Sequence, residues 1–186
     1  MKTIFIHRKS DVEKLLPKLK KHDRIAQKEL YDFYAPKMLS VCRSYIADVQ
    51  HAEDTMLKAF FKVFKSIDSY KSQGSFEGWI RRIMVNESLT FLRLNKGLIY
   101  LEEDKFLAET TDDDEDLTGI NAQELLDALP ESYRAVFNLY VLEDCSHKEI
   151  AELLNITETT SKTQLFRAKN KLKEIILQKK KIQNEN

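Results

Sequence analysis

A run of acidic residues divides this chain and constrains its fold more than any other feature. The stretch "LEEDKFLAETTDDDED", from Leu101 to Asp116, contains nine carboxylates and one lysine. Like charges at this density repel one another and form no apolar stripe, so the stretch is predicted to be a flexible, solvated linker. The whole chain carries 30 basic and 30 acidic residues, so 29 basic and 21 acidic residues, a net charge of +8, remain outside it. The sequence therefore predicts two net-basic parts joined by an acidic linker.

Both parts have the composition of helical domains. The 186 residues include only four glycines and three prolines, and helical rather than alternating spacing of apolar residues prevails. The predicted fold is all-α, with an N-terminal extension of unassigned role at 1–22, a first small domain at 23–100, the linker at 101–120 and a second small domain at 121–179. No run of about 18 apolar residues and no signal-peptide pattern is present, which predicts a cytoplasmic protein without membrane insertion.

The residues give no indication of an enzyme. Cys42 and Cys145 are far apart and lack a CxxC partner, so they are predicted to be small core residues rather than disulfide partners or zinc ligands. The histidines are scattered, and no nucleophile, base and orienting group converge on one motif. The acidic linker lacks the spaced ligands and turn glycine of a calcium loop. We therefore expect no catalytic residue, no metal site and no cofactor.

Two short helical patterns with a tight turn between them occur near the C-terminus, in "CSHKEIAELLNITETTSKTQLFRAKNKL". Ser146 and Glu149 have the spacing of a capping box, which begins the first helix. Asn155 suits the left-handed residue that ends this helix, and Thr157 can cap the next one. The pattern predicts a helix-turn-helix. Two preceding helices are predicted to bury it through Leu125, Leu126, Leu129, Tyr133, Val136, Phe137 and Tyr140.

The second helix of this motif is predicted to have two different faces. An inward stripe at helical spacing comprises Ser161, Leu165, Ala168 and Leu172. The opposite face, suited to base edges in a DNA major groove, comprises Thr160, Thr163, Arg167 and Asn170, with Gln164 and Lys171 at its margin. Lys162, Lys169 and Lys171 are placed for phosphates. A helical hairpin with a merely solvated face is the alternative, but eight basic residues against one glutamate between 162 and 181 favour DNA binding.

In the first part, the helix "AEDTMLKAFFKVFKSI" has two apolar stripes. One comprises Ala52, Met56, Ala59, Phe60, Val63 and Ile67, and the other, about 100° away, comprises Leu57, Phe61 and Phe64. A surface helix needs only one stripe, so either this helix is central to its bundle or the second stripe, flanked by Asp54, faces a protein partner. Upstream, helical spacing recurs from Leu30 to Tyr45, and Pro36 is predicted to open a second helix there.

A polar loop and another helix follow, in "SYKSQGSFEGWIRRIMVNESLTFLRLNK". The helix is predicted to start at Phe76 and to direct inward Ile80, Ile83, Met84, Phe91 and Leu94. Its outward face is predicted to hold Arg82, Asn86, Thr90 and Arg93, with Trp79 at its start. Arginines, an amide and an aromatic ring are groups that hold unstacked single-stranded bases and their backbone. Alternatively, Trp79 is a core residue.

Together these motifs resemble the extracytoplasmic-function (ECF) sigma factors of bacterial RNA polymerase. "AEDTMLKAFFKVF" is similar to a region 2 helix of that family, and "GSFEGWIRRIMVN" to the segment that melts the −10 promoter element. The stretch from "LPESYRAVF" to "RAKNKL" is similar to region 4. The resemblance covers about residues 23–177. The chain departs from the family pattern at Asn155, Ser161, Gln164, Thr90 and Leu94, which leaves its promoter sequence open.

The resemblance implies a protein without enzymatic activity that binds core RNA polymerase and promoter DNA and is controlled by an anti-sigma factor. Polymerase binding is implied for Asp54, Leu57 and Phe61. Contacts with the −10 element are implied for Lys71, Ser72, Gln73, Ser75, Trp79, Arg82, Asn86 and Arg93. Contacts with the −35 element are implied for Thr160, Lys162, Thr163, Gln164, Arg167 and Lys171. The alternative is an autonomous dimeric helix-turn-helix regulator of the LuxR type, although such proteins usually begin with an α/β domain and no βα alternation occurs here.

Overall fold

The computed structural model describes residues 9–71, 74–96 and 121–184 of the chain. These ranges contain no strand. They form the helices α1 Lys9–Leu19, α2 Arg24–Tyr45, α3 Val49–Lys65, α4 Phe76–Lys96, α5 Ala122–Asp127, α6 Glu131–Val141, α7 His147–Leu154 and α8 Glu158–Asn184, with a 3-10 turn at Ile67–Ser69. The all-α prediction is confirmed, while the predicted linker lies outside the described residues. Within the same ranges, no helix is both long and apolar enough to cross a membrane.

The chain divides into two compact units. The first contains α1, most of α2, α3, and α4 as far as Phe91; the second contains α5 to α8, and residues 44–47 and 92–96 are grouped with it. In the first unit, Leu15 and Leu19 of α1 are buried. Part of the N-terminal extension therefore contributes to a core, whereas the domain limits predicted from the sequence stay predictions.

One uninterrupted helix, α2, replaces the two helices predicted between Leu30 and Tyr45. Pro36 lies inside α2 on its exposed side, so the prediction that it opens a new helix is wrong. A proline removes one backbone hydrogen bond, but on the solvent side water can satisfy the carbonyl that loses its partner. The helix continues because one buried row passes the proline without a break: Leu30, Tyr34, Met38 and Val41.

The first unit buries one face of α3 and one face of α4. All six residues of the first stripe predicted from Ala52 to Ile67 are buried, as expected. Ile83 and Phe91 of α4 are half-buried, whereas its buried residues are Phe76, Ile80, Met84, Val85, Ser88, Leu89 and Leu92. Leu94 is 79% exposed, so its predicted inward position is wrong. Direction alone does not explain this, because Phe76 points the same way about five turns earlier and is buried; Leu94 lies beyond Phe91, where the first unit ends.

The second unit forms around α8, which packs against α5, α6 and α7. Its core comprises Leu125, Leu129, Ala135, Val136, Leu139, Ile150, Leu154, Leu165, Ala168 and Ile176. Among the predicted supporting residues, Leu126, Tyr133 and Phe137 are only half-buried. Tyr140 is 39% exposed and was wrongly predicted to be buried. The inward face of α6 is formed by Ala135, Val136 and Leu139, and Tyr140 lies beside that face rather than on it.

Neither cysteine forms a disulfide. Cys42 is fully buried in α2, and burial raises the pKa of its thiol to about 11, so it is neutral at physiological pH. Cys145 is half-buried in the turn before α7, where its Sγ lies 3.8 Å from the carbonyl oxygen of Glu143. The expectation of a core thiol is confirmed for Cys42, whereas Cys145 lies at the edge of its unit.

Candidate functional site

The turn between α7 and α8 has the geometry predicted for a helix-turn-helix. Ser146 Oγ accepts a hydrogen bond from the Glu149 amide at 3.3 Å, and the Ser146 amide donates to Glu149 Oε2 at 2.8 Å, so the capping box is confirmed. Asn155 ends α7 with φ 55° and ψ 51°, the predicted left-handed conformation. Thr157 Oγ1 accepts from the Thr160 amide at 3.0 Å and caps α8. These local bonds fix where each helix of the motif begins and ends.

His147, at the start of α7, contacts both neighbouring helices. Its Nδ1 lies 2.9 Å from Ser161 Oγ on α8, within hydrogen-bond distance. Its ring stacks on Tyr140 of α6, with centroids 4.9 Å apart. The pKa of His147 is lowered below its usual value, first by burial and then by the positive charge of Lys162, with partial opposition from Glu158. The imidazole is therefore neutral at physiological pH.

Acidification is expected to destabilise the chain through His147. Because its folded-state pKa lies below the unfolded value of about 6.5, folding disfavours the protonated ring. The stability present above the unfolded pKa is therefore lost as the pH falls through the folded pKa. Chemical denaturation at about pH 7.5 and about pH 5.5 should show a loss of unfolding free energy in the wild type that is smaller in His147→Asn. The same pH dependence in both proteins would contradict this expectation.

The structure places some residues of α8 differently from the sequence prediction. Of the predicted inward stripe, Ser161, Leu165 and Ala168 are buried, whereas Leu172 is only half-buried. Thr160 and Gln164 are also buried, with 9% and 1% of their surface exposed, so the prediction that they face a DNA groove is wrong. At about 100° per residue these five residues span an arc of about 140°, which is wider than a single stripe. The inward face of α8 is broad because three helices pack against it.

The face of α8 opposite this arc is centred on Thr159 and Phe166. Lys162 is exposed and Thr163 half-buried on the same face, and Arg167 lies half-buried at its margin. Sequence reasoning missed Phe166 because an aromatic residue was given no part in a polar face. A prediction with two adjacent buried rows on α8, instead of one, would have placed Phe166 on the outer face. A cation, two hydroxyls, a guanidinium and an aromatic ring can together contact phosphates, base edges and thymine methyl groups.

The loop before α4 is closed by two side-chain hydrogen bonds. Tyr70 Oη donates to the Gly74 carbonyl oxygen at 3.0 Å, and Ser75 Oγ accepts from an amide in the first turn of α4 at 3.0 Å. Gly74 has φ 87°, a value that strains any residue with a side chain even though the space around it is open. Lys71 is exposed, whereas residues 72 and 73 lie outside the described part of the chain.

The predicted strand-holding residues of α4 lie on its outer side. Trp79 is half-buried in an aromatic cluster, with its ring centroid 5.6 Å from that of Phe76 and 5.4 Å from that of Tyr70. The indole therefore supports the loop and keeps part of its surface accessible. Three further predicted contact residues are exposed along the helix: Arg82, Asn86 and Arg93.

An open cavity of about 460 Å³ lies between the end of α3 and the middle of α4. Its lining comprises Lys62, Lys65, Ser66, Ile83, Asn86 and Glu87. Lys62 and Glu87 form an ion pair in this lining. The volume falls within the range of about 300–1,000 Å³ typical of small-molecule sites. Amide, carboxylate and ammonium groups beside the apolar side chain of Ile83 can pair with a base edge and contact its ring.

Two of the three residues in the second apolar stripe of α3 face solvent, whereas Phe64 is half-buried. Leu57 is 50% exposed and Phe61 is 70% exposed, and the two side chains lie about one turn apart. Asp54 is exposed on the preceding turn. The alternative in which α3 is central to its bundle does not hold, because a central helix would bury these two side chains. Neighbouring large apolar groups at a surface are typical of a protein interaction site.

Comparison with known protein families gives two matches along the chain. The sigma-70 region 2 family matches residues 30–97, and the sigma-70 region 4 family matches residues 120–172. The first match covers most of α2 together with α3 and α4, and the second covers α5 to α7 and the first half of α8. The two exposed surfaces of the first unit and the helix-turn-helix of the second therefore lie within matched regions.

Curated relatives extend this likeness over most of the chain. The ECF RNA polymerase sigma factor SigW of Bacillus subtilis is 29% identical over 178 residues, which cover 87% of this chain and 95% of the relative. SigM of the same organism is 26% identical over 155 residues, 78% of this chain and 91% of the relative. The ECF sigma-E factor of Escherichia coli K12 is 24% identical over 170 residues, 83% of this chain and 88% of the relative. None of these matches supports a regulator of the LuxR type. With both sigma-70 regions in order and full-length relatives of one kind, the chain belongs to the ECF RNA polymerase sigma factors and acts in the initiation of transcription.

Proposed function

We propose that this sigma factor binds core RNA polymerase, recognises the −35 element with α8 and opens the −10 element along α4. The observation that carries the proposal is that a capped helix-turn-helix shares one chain with a helix that exposes Leu57 and Phe61. A protein that directs a polymerase to a promoter needs one surface for DNA and one for the enzyme. The exposed apolar pair on α3 supplies the second surface.

Recognition of the −35 element is assigned to the outer face of α8. Thr163 and Arg167 contact base edges, since hydroxyl and guanidinium groups match the acceptors of the major groove. Thr159 and Phe166 lie at the centre of the same face, where an aromatic ring can contact a thymine methyl group. Lys162 is exposed beside them and contacts a phosphate, which adds affinity without sequence information.

The −10 element is assigned to the loop before α4 and to the cavity between α3 and α4. Taking a base out of the DNA stack costs a few kcal/mol of free energy, and contacts in the cavity must offset this cost. Asn86 and Glu87 offer hydrogen-bonding groups to its edge. Arg82 and Arg93 are exposed along α4 and hold the backbone of the opened strand, with Trp79 as an aromatic contact.

Polymerase binding is assigned to Asp54, Leu57 and Phe61 on α3. The two apolar side chains would be buried on binding, and the carboxylate would pair with a basic group at the rim. An anti-sigma factor is expected to act by covering this surface and the outer face of α8, because both must be accessible for initiation.

Run-off transcription with purified core RNA polymerase tests the proposal. Core enzyme supplied with this chain is expected to initiate at a subset of genomic fragments and the chain to co-purify with the enzyme. The chain alone is expected to bind duplex DNA weakly. Operator binding by a dimer of the chain in the absence of polymerase, together with no initiation in its presence, would favour an autonomous regulator instead.

Removing the Asn86 amide is expected to impair promoter opening. Asn86→Ala takes one hydrogen-bonding group from the cavity, and a lost bond to a buried base costs about 1–3 kcal/mol, so opening should be roughly five- to 160-fold less favourable. A fluorescent base analogue at the −10 element reports the opened fraction. Gln50→Ala is the matched control, since it removes an exposed amide of α3 outside the cavity and should open promoters normally. Normal opening by Asn86→Ala would exclude the cavity as the base site.

A further inference from the structure

A polar contact joins the two helices of the DNA-binding motif. His147 Nδ1 lies 2.9 Å from Oγ of Ser161, a residue with none of its surface exposed. The imidazole also stacks on Tyr140, with ring planes at 26°. The ring thus belongs to α7, rests on α6 and bonds to α8. This contact connects α6 and α7 with the helix that is proposed to enter DNA.

The rotation of α8 about its axis decides which side chains face DNA. Thr160 and Gln164 are buried, whereas Thr163 and Arg167 lie on the outer side. At about 100° per residue, a rotation of about 60° would exchange the first pair for the second. Apolar contacts are non-directional and oppose such a rotation only through packing, whereas a hydrogen bond depends on direction.

The other polar side chains buried on this face of α8 do not fix its rotation. Thr160 Oγ1 bonds to Thr157 Oγ1 at 2.8 Å. Both residues lie at the start of α8, so this bond does not connect α8 to another helix. Gln164 Oε1 has no hydrogen-bond partner in the described part of the chain. Burial of an unsatisfied carbonyl does not favour the observed orientation, because turning outward would restore its hydration. Burial of Leu165, Ala168 and Ile176 favours the observed rotation through packing, and the bond from His147 to Ser161 adds a contact that depends on direction.

We infer that His147 is a positioning residue for promoter recognition, which fixes the rotation of α8 through Ser161 and so holds Thr163 and Arg167 toward DNA. The inference rests on the proposed role of α8 at the −35 element. Lys162 follows Ser161 directly in the chain, so the bond also lies next to the proposed phosphate contact. Loss of the bond should therefore change both the affinity and the selectivity of the helix.

The test measures binding of holoenzyme, made with the full chain, to its promoter and to promoters with single −35 substitutions. His147→Ala and Ser161→Ala are each expected to lower the affinity for the cognate promoter about three- to tenfold, the equivalent of one hydrogen bond. The ratio of this affinity to the affinity for substituted promoters should also decrease. The double variant should match either single variant, because both changes remove the same bond. His147→Asn keeps a polar atom at the same number of bonds from the backbone and is expected to restore most of the preference.

Glu152→Ala, at an exposed position of α7, is the control and should behave as the wild type. A lower unfolding midpoint of His147→Ala with unchanged promoter preference would reduce the residue to a structural role and overturn the inference. Losses that add in the double variant would overturn it as well. A wild-type holoenzyme without any −35 preference would instead refute the proposed function, and the inference would fall with it.

Discussion

Glutamate in place of Leu57 or Phe61 is expected to abolish binding to core RNA polymerase. Half or more of each side chain is exposed, so the free protein should tolerate the change. In the complex, however, a carboxylate would have to be buried against the polymerase without a partner. Apolar anchors at an interface contribute about 2 kcal/mol or more, so each variant should bind at least roughly thirtyfold more weakly. Titration of purified core enzyme with labelled variants measures this loss.

Two further substitutions distinguish a loss of polymerase binding at the interface from a loss caused by unfolding. Ile25→Glu changes an apolar residue of the same unit that is 72% exposed, and it should bind polymerase normally. Phe60→Glu lies next to Phe61 but replaces a side chain that is 2% exposed, and it should unfold the first unit. Helical circular dichroism should be unchanged for Leu57→Glu and Phe61→Glu. If both glutamate variants bind core polymerase with wild-type affinity, the assignment of the polymerase-binding surface to α3 is incorrect.

Local signals in the sequence predicted local structure reliably. The capping box of Ser146 and Glu149, the left-handed Asn155 and the start of α4 at Phe76 each depend on contacts within about one helical turn. The buried face of α3 was also predicted correctly, because the helical spacing of its apolar residues is enough to define that face. Where the deciding interaction is close in sequence, the residues themselves contain the information.

Predictions failed where the deciding partner is remote in sequence. Pro36 remains inside α2 because the buried row on the opposite side is packed by other helices. Leu94 is exposed because it lies past Phe91, where the first unit ends, although Phe76 on the same face of α4 is buried. Gln164 is buried because three helices pack against α8. This packing makes the inward face of α8 wider than one stripe. Periodicity gives the direction of a face, but its width depends on the number of elements packed against it.

The cavity between α3 and α4 could not be predicted for the same reason. Its lining combines Lys62 and Ser66 with Asn86 and Glu87, which are separated by the loop and the first turns of α4. The sequence indicated Asn86 as one residue of an exposed polar face. Only the tertiary structure shows that this residue borders an open cavity together with the end of α3.

The second large effect is expected on the outer face of α8. Arg167→Ala should weaken promoter binding by about 1–3 kcal/mol and relax selectivity at one position of the −35 element, because one base contact is lost. Holoenzyme binding to a library of −35 variants measures both quantities. If the selectivity profile of Arg167→Ala equals that of the wild type, the assigned orientation of α8 is incorrect.

Gln164→Leu is the most informative comparison for this orientation. Its side chain is 1% exposed and its Oε1 has no hydrogen-bond partner in the described residues, so it cannot contact a base in this orientation. An apolar group of similar size removes the unsatisfied carbonyl, and the free energy of unfolding should stay equal or rise. Selectivity for the −35 element should not change. A shifted base preference in Gln164→Leu would mean that α8 turns on binding and that the buried row becomes the reading face.

Phosphate contacts are distinguished from base contacts by their dependence on salt. Lys162 is exposed and takes part in no ion pair in the described part of the chain, so Lys162→Ala should weaken all promoters alike and reduce the slope of log affinity against log salt by about 0.9. Lys171 already pairs with Glu174, with 3.0 Å between Nζ and Oε2, so Lys171→Ala should have a smaller effect on that slope. Arg167→Ala, in contrast, should alter the ranking of promoters at every salt concentration. If Lys162→Ala changes the ranking and Arg167→Ala only the slope, the two side chains have exchanged roles, and the assignment of Arg167 as the base contact is incorrect.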